Sequence, residues 1–428
     1  MASTGSNSGS PAAEAAPGVD GAARADIVIA LTSRNDVQTI GSVAIALRDG
    51  LARYCPSQAV RFILADAGST DGTREAAREA VGPAAIEEVA HQRGPRLGEL
   101  PYHGDQGRAL ALRAVLQAAQ RLGAGSCTIV DASLRSVQPE WVERLVTPVL
   151  SGEVDYVSPF YTRPLNEGAM TRGIVYPMFR ALYGARLRQP AATEFSCSAR
   201  LVTHFLEQEL WEVEQAAAGI DLWLAVAAVC GEFRVCEAEL GARAAMPRTT
   251  AADLSTTLSQ VAAALFADLD RRLDVWQRAR GSVAIPIVGS VPALPAEPAL
   301  PPIEALLESF RFGYRELREI WARVLPPRTI VELRKLTDSP SSRFRLDDRL
   351  WAGIVYDFAL AYSFRTLPRE HVLRSMAPLY SGWLASFALQ LEAASQADIE
   401  ARVERLCQGF EAEKPHLISR WRWPERRS

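Results

Sequence analysis

Residues 60–82 read VRFILADAGSTDGTREAAREAVG. A short apolar run, Phe62 to Ala65, ends on a carboxylate, Asp66. A turn of Gly, Ser, Thr and Asp follows, and then a helical pattern with Gly82 just beyond its end. A short apolar run bounded by turn residues reads as a buried strand, and a glycine past the last helical position is a stop signal. The same strand–turn–helix unit recurs on both sides. Upstream, ADIVIALTSRND (25–36) carries the β-branched run Ile27 to Leu31, and TIGSVAIALRDGLARY (39–54) has apolar residues at helical spacing. Downstream, GRALALRAVLQAAQRLGA (107–124) closes at Gly123, and SCTIVDASL (126–134) is a third strand with Asp131 at its carboxyl end. Alternation of this kind predicts an α/β fold with a mostly parallel sheet. Ligands of such sheets bind beyond the carboxyl ends of the strands, where Thr32, Asp66 and Asp131 all fall.

The rest of the chain is organised around that unit. The sequence has 428 residues, 48% hydrophobic and 23% charged, the balance of a soluble globular protein. Residues 1–24 are rich in Ala, Gly, Ser and Pro without periodicity and are expected to be a disordered tail. The α/β unit is expected over 25–280. A proline-rich segment, 281–302, is expected to join two packed units, because Val283, Ile285, Ile287 and Val288 are too apolar for a solvated tether. Residues 303–428 read as a helical C-terminal unit, with amphipathic segments such as IEALLESFRFGYRELREIWARVL (303–325).

Composition excludes several function classes. A net charge of −3 provides no field for nucleic acid or an anionic membrane. No run of 18 apolar residues marks a membrane span, and no secretory leader is visible. Six scattered cysteines without a CxxC pair argue against structural zinc and fit buried thiols in a reducing, cytoplasmic setting. Trp141, Trp211 and Trp223 sit in helical patterns and are expected in the core.

Two strand-end carboxylates are compatible with a nucleotide site, whereas AGSTDGT alone reads more readily as a helix cap made by Thr70 or Asp71. Adding VDASLRSVQPEWV (130–142), YHGDQGRALALRA (102–114), YPMFRALYGARLRQP (176–190) followed by Glu194 and Phe195, and GIDLW (219–223), the sequence resembles the retaining GT-A glycosyltransferases that include mannosylglycerate synthase and glucosyl-3-phosphoglycerate synthase. The resemblance covers roughly residues 25–280. It implies a Rossmann-like GT-A fold. The implied reaction is transfer of a hexose, with retention, from a nucleotide diphosphate sugar of the GDP-mannose or UDP-glucose type to a hydroxyl of a small polar acceptor such as glycerate. It assigns nucleotide-sugar binding to Thr32, Asp66, Gly107, Arg108, Asp131, Arg135 and Arg172, and catalytic positions to Glu194 and Asp221. It places a divalent cation, Mg²⁺ or Mn²⁺, at Asp131, because carboxylates at this strand end bridge a cation to the diphosphate.

The chain departs from that pattern where the cation would bind. Ser133 stands where a second acid is expected, and Ala245 where a histidine is expected. Pro164 and Leu165 replace polar residues, Arg172 replaces Asn, and Ala192 and Thr193 replace paired glycines. Cation dependence is therefore expected to be weak, with Arg108, Arg135, Arg163 and Arg172 the candidates to meet phosphate charge. The bland readings stay open: solvated arginines, a structural His103, Asp221 as a helix cap, and Glu194 in an ion pair with Arg188. So does a second function class, an impaired relative that binds a nucleotide sugar or a protein. A nucleotidyltransferase fits less well, because ALTSRNDVQTIG lacks the glycine-rich loop. The oligomeric state, including a homo-oligomer, stays open as well.

Overall fold

The computed structural model describes residues 24–90, 107–162, 168–212, 216–245, 254–289, 301–391 and 394–422. The expected tail up to residue 23, His103, Arg163, Pro164, Leu165 and residues 290–300 lie outside the described residues.

Strands β1 (Ile27–Ser33), β2 (Val60–Asp66), β3 (Ile86–Glu88), β4 (Ser126–Asp131), β5 (Tyr156–Thr162), β6 (Phe195–Ser198), β7 (Val235–Ala242) and β8 (Ile287–Val288) form one sheet. Its order is β3-β2-β1-β4-β6-β5-β7-β8. Only β6 runs antiparallel to its neighbours, β4 and β5, so the expected α/β fold with a mostly parallel sheet is what the chain adopts. β1 lies between β2 and β4, and its end aligns Ser33 with Asp66 and Thr32 with Asp131.

The helices of this part are α1 (Ile40–Tyr54), α2 (Thr73–Val81), α3 (Arg108–Leu122), α4 (Glu140–Leu145), α5 (Thr147–Leu150), α6 (Tyr176–Tyr183), α7 (Ala199–Leu206), α8 (Ala216–Cys230), α9 (Leu254–Arg271) and α10 (Leu273–Trp276). Side chains of a strand alternate between sheet faces. In β1, Ile27, Ile29 and Leu31 pack under α1, α2 and α4, with Val43, Leu47, Ala77 and Trp141. Val28 and Ala30 face the other way, onto Leu112, Val115 and Leu116 of α3. Because both faces are covered, β1 is apolar at almost every position, as expected for a central parallel strand.

The second core continues into α11 (Ile303–Val324), α12 (Pro327–Thr337), α13 (Asp348–Ser363), α14 (Arg369–Ser375), α15 (Ala377–Leu389) and α16 (Gln396–Arg422). Three polar anchors fix these helices against α6. Trp351 donates its indole N–H to the Gly173 carbonyl at 2.9 Å. Lys414 donates to the carbonyls of Ala181 and Ala279 at 2.6 and 2.8 Å. The buried Arg180 guanidinium is held by Glu404, Glu411 and Ser282. Gly173 lies in a π-helical turn, Thr171–Val175, that runs into α6. The Trp383 indole of α15 packs directly on its α-carbon.

The described part of the proline-rich segment, 281–289, is tied down, but not for the reason its composition suggests. Val283 and Ile287 are exposed, at 71% and 53%. The anchoring is through the backbone. Val283 N–H donates to the Gly184 carbonyl, Arg186 N–H donates back to Val283, and Ile287 and Val288 extend the sheet beside β7.

Trp141, Trp211 and Trp223 are buried as expected. All six cysteines are free, and Cys230 alone is not fully buried. Burial pushes the thiols of Cys230, Cys236 and Cys407 up to about 12, so they stay protonated and inert at neutral pH. Among the described residues no helix is long and apolar enough to cross a membrane.

Gly173→Ala would drive a β-carbon into the Trp383 ring. Overpacking of this kind costs about 1–3 kcal/mol, so the variant's urea midpoint should fall with an unchanged denaturant slope. An unaltered midpoint would show that the π-helical turn is not seated against α15.

Candidate functional site

The site forms where β1, β2 and β4 end, and it has two compartments. On the β2 side, Asp66 organises the turn. Its carboxylate accepts from Ser33 Oγ (2.9 Å), Gly68 N–H (3.0 Å), Ser69 N–H (2.8 Å), Ser69 Oγ (2.5 Å) and Arg74 Nε (2.8 Å). Burial works against the charge, but these donors hold Asp66 below the usual carboxylate range. The turn after β1 is stitched to the same loop. Asn35, in the left-handed region, donates its N–H to Ser69 Oγ and accepts from Thr70 N–H. Asp71 Oδ1 accepts from Thr73 N–H just ahead of α2, whose N-cap is Gly72 and carries no side-chain cap, so neither Thr70 nor Asp71 is the cap the sequence suggested. Beside this turn is a groove of about 410 Å³, lined by Leu64, Asp66, Gly68, Arg74, Glu88 and Val89 among others.

On the β4 side, Asp131 Oδ1 accepts from Ser133 N–H at 2.9 Å. The segment leaving β7 lies against this turn. Leu134 and Ala245 form an antiparallel bridge, and Arg135 N–H donates to the Ala244 carbonyl at 2.8 Å. Ala245 is thus set beside the Asp131–Ser133 turn.

Gly107, at φ 90°, turns the chain into α3, a conformation that a side chain would strain. Arg108 then points inward. Its Nε and Nη2 close a fork on Asp221 of α8, both at 2.7 Å, with side-chain exposures of 3% and 0%. Nη1 donates to Thr32 Oγ1 at 3.2 Å and Nη2 to the Thr193 carbonyl at 2.7 Å. The fork of Arg108 is thus closed on a buried carboxylate. Burial raises the Asp221 carboxyl above its ordinary range. Arg108 opposes that shift and Asp131 adds to it.

Glu194, the residue before β6, is fully buried. It accepts from Tyr161 Oη (2.8 Å) and Thr193 Oγ1 (2.5 Å), and faces Arg243 Nη2 at 3.4 Å. The expected pairing of Glu194 with Arg188 does not occur. Arg188 binds Glu237 of β7 instead, with its N–H at 2.6 Å and its Nε at 2.8 Å, and stacks over Phe160. β6 is inserted antiparallel between β4 and β5, and Glu194 is thereby turned towards Tyr161.

A second cavity, of about 320 Å³, opens beside this pair. Its walls include Thr171, Gln189, Ala192, Thr193 and Arg243 from the α/β part and Tyr380 from α15. Of the remaining sequence-predicted residues, Arg135 is exposed and contributes its backbone to the site, and Arg172 is half-buried in the π-helical turn and lines neither cavity. Sequence reasoning overlooked Arg243, Tyr161 and Tyr380. Arg243 had a usable signal, since it stands two residues before Ala245 in the segment already aligned to a cation ligand.

Three buried carboxylates, Asp131, Glu194 and Asp221, therefore share the site with two guanidinium groups. Among the described residues, no three His, Cys, Asp or Glu side chains come together as a metal cage. At the Asp131 turn the neighbouring positions are Ser133 and Ala245, which offer a neutral hydroxyl and a methyl group. These residues do not fit a cation held by the protein, because hard cations need several charged oxygens.

No protein-family model matches the chain, and no curated protein matches it. Among solved structures, it is similar to glucosyl-3-phosphoglycerate synthase from Mycobacterium tuberculosis in complex with Mn²⁺, uridine diphosphate and phosphoglyceric acid. Identity is 23% and the TM-score 0.42, over 58% of this chain and 78% of that one. A further structure of M. tuberculosis glucosyl-3-phosphoglycerate synthase gives 24% identity and a TM-score of 0.41, over 58% and 80% of the two chains. A mycobacterial protein gives 25% and 0.41, over 58% and 74%. At this level of superposition the similarity names what the chain is like and carries no argument about what it does.

Proposed function

We propose that the chain is a GT-A glycosyltransferase that moves a hexose from a nucleotide diphosphate sugar to a hydroxyl of a small polar acceptor, with retention of configuration. One observation carries the reading: Thr32, Asp66 and Asp131 stand at the carboxyl ends of three adjacent parallel strands, Asp66 lines a groove of about 410 Å³, and a cavity of about 320 Å³ is lined by Thr193, whose carbonyl takes the same Arg108 that reaches Thr32. Two compartments at the strand ends suit a donor and an acceptor that must meet. The groove beside Asp66 and Arg74 takes the nucleoside, and the cavity beside Thr193 and Tyr380 takes the acceptor. Residues 25–280 supply the donor side, with 281–302 connecting them to the helical unit, 303–428.

In this reading Glu194 and Asp221 are positioning residues. Glu194 orients Arg243, which lines the cavity, and Asp221 holds Arg108 against Thr32 and the Thr193 carbonyl. Preorganised positive charge beside a departing diphosphate lowers the barrier without reorganisation during the reaction. A cation would have one carboxylate, Asp131, to share with the nucleotide's own phosphates, which is the neighbours' situation only in that their structures hold Mn²⁺ or Mg²⁺ together with uridine diphosphate. The second reading, a binding module without transferase activity, draws on the same commitment of Glu194 and Asp221 oxygens to internal partners.

Calorimetry with UDP-glucose and GDP-mannose is expected to show binding of at least one donor, and hydrolysis or transfer assays with hydroxy-acid acceptors separate the two readings. Absence of binding by either sugar, with and without Mn²⁺, ends the transferase reading. Binding without turnover favours the module.

The Arg108–Asp221 pair is expected to behave as a buried unit. Asp221→Asn should cost about 3–5 kcal/mol, because it leaves a buried guanidinium uncompensated, whereas the double change Arg108→Met/Asp221→Leu should recover much of that. Urea titrations of the four proteins measure the coupling, and additive losses would refute it.

Asp66 is held ionised in the folded protein, so its contribution is present above the ordinary carboxylate range and is lost as pH falls through its lowered value. Asp66→Asn should therefore destabilise the chain by about 1.5–3 kcal/mol near neutrality and by much less in acid. Thermal melts from neutral pH down to the acid limit of folding would expose a contrary, pH-independent loss.

A further inference from the structure

We propose that Arg243 takes the place of the divalent cation, presenting its guanidinium to the diphosphate of the donor over the Asp131–Ser133 turn. The proposal rests on the transferase reading above and adds to it how the donor's charge is met.

The first ground is position. Arg243 leaves β7 two residues before Ala245, and the Leu134–Ala245 bridge and the Arg135–Ala244 hydrogen bond press this segment onto the turn that carries Asp131. The charged group thus arrives from the same segment, at the same turn, as Ala245, the position where the resemblance implies a cation ligand.

The second ground is how the side chain is held. Nη2 lies 3.4 Å from Glu194 Oε1 and 3.5 Å from Thr193 Oγ1, and the Tyr161 ring sits 6.0 Å from the guanidinium carbon. Both hydrogen bonds are long and use one nitrogen. No described residue takes Nε or Nη1, and the side chain is 22% exposed on the wall of the 320 Å³ cavity. Burial disfavours the charge, but Glu194, Tyr161 and Asp131 together hold the guanidinium protonated at any pH the protein meets. A preorganised, permanently charged fork with open N–H groups is a phosphate receptor.

The third ground is elimination. Among the described candidates, Arg108 has its fork closed on Asp221, Arg135 is exposed, and Arg172 lines neither cavity; Arg163 lies outside the described residues. Arg243 is the arginine whose guanidinium lines the cavity itself. It supplies one positive charge where a cation supplies two, so binding is weaker than in a metal-loaded site but indifferent to chelators.

The test is calorimetry of the full chain with UDP and with GDP, in EDTA and in excess Mn²⁺. Wild-type affinity is expected to be the same in both. Arg243→Gln should lose about ten- to a hundredfold, the worth of one charged hydrogen bond, and Mn²⁺ should not restore it. Arg243→Lys should retain part of the affinity, because it keeps the charge and loses the fork. Adding Ser133→Asp and Ala245→His to Arg243→Gln should restore binding in Mn²⁺ alone, with bound Mn²⁺ visible by electron paramagnetic resonance. If Arg243→Gln unfolds because Glu194 is left uncompensated, Arg243→Gln/Glu194→Gln removes both charges and takes its place. The proposal is overturned if wild-type affinity collapses in EDTA, if Arg243→Gln binds like wild type, or if its defect is confined to the acceptor KM. Failure of the wild type to bind either diphosphate under both conditions overturns the transferase reading itself, and this proposal with it.

Discussion

The fork between Arg108 and Asp221 is the constraint on which the site depends. It is dry, bidentate and reaches four pieces of chain at once: the start of α3, the interior of α8, the end of β1 through Thr32, and the Thr193 carbonyl ahead of β6. A buried ion pair of this kind adds little net stability relative to an apolar replacement, since desolvation cancels most of the attraction. What it does is penalise every arrangement in which one partner is left alone. Strand ends, helix start and loop must therefore come together in one geometry or not at all. Thr193, whose carbonyl takes Arg108, also lines the 320 Å³ cavity.

From this junction outward the charges are arranged in tiers. Asp221 is spent on Arg108, Glu194 on Tyr161, Thr193 and Arg243, and Asp66 on the turn that shapes the groove. Carboxylates that look like reactive groups in a one-dimensional reading act here as anchors for cations and loops. Carboxylates and guanidinium groups are thereby nearly balanced, so few buried charges are left without a partner.

Much of this was legible in the sequence. Alternating apolar runs and glycine stops located β1, β2, β4, α2 and α3, because both faces of a central parallel strand are covered and its apolar run is continuous. Thr32, Asp66 and Asp131 converge because a residue at a strand's end is fixed by that strand's register. What could not be read depends on pairings across long separations. The antiparallel insertion of β6 decides that Glu194 meets Tyr161 and that Arg188 goes to Glu237. The inward turn of Arg108 depends on a partner 113 residues away. The proline-rich segment is held through its peptide groups, which composition does not report.

The seat of Gly173 against Trp383, with Trp351 bonded to its carbonyl, has a consequence for evolution by recombination. Tyr380 and Leu384, on the same helix as Trp383, face the cavity that Thr171 and Ala169 line from the other side. The wall of that cavity is therefore encoded in several separate stretches of the gene, the outermost about two hundred codons apart, and exchanging one of them for a homologous stretch changes only part of the wall. Reshaping that cavity falls to substitutions in several stretches together, not to the swap of one module for another.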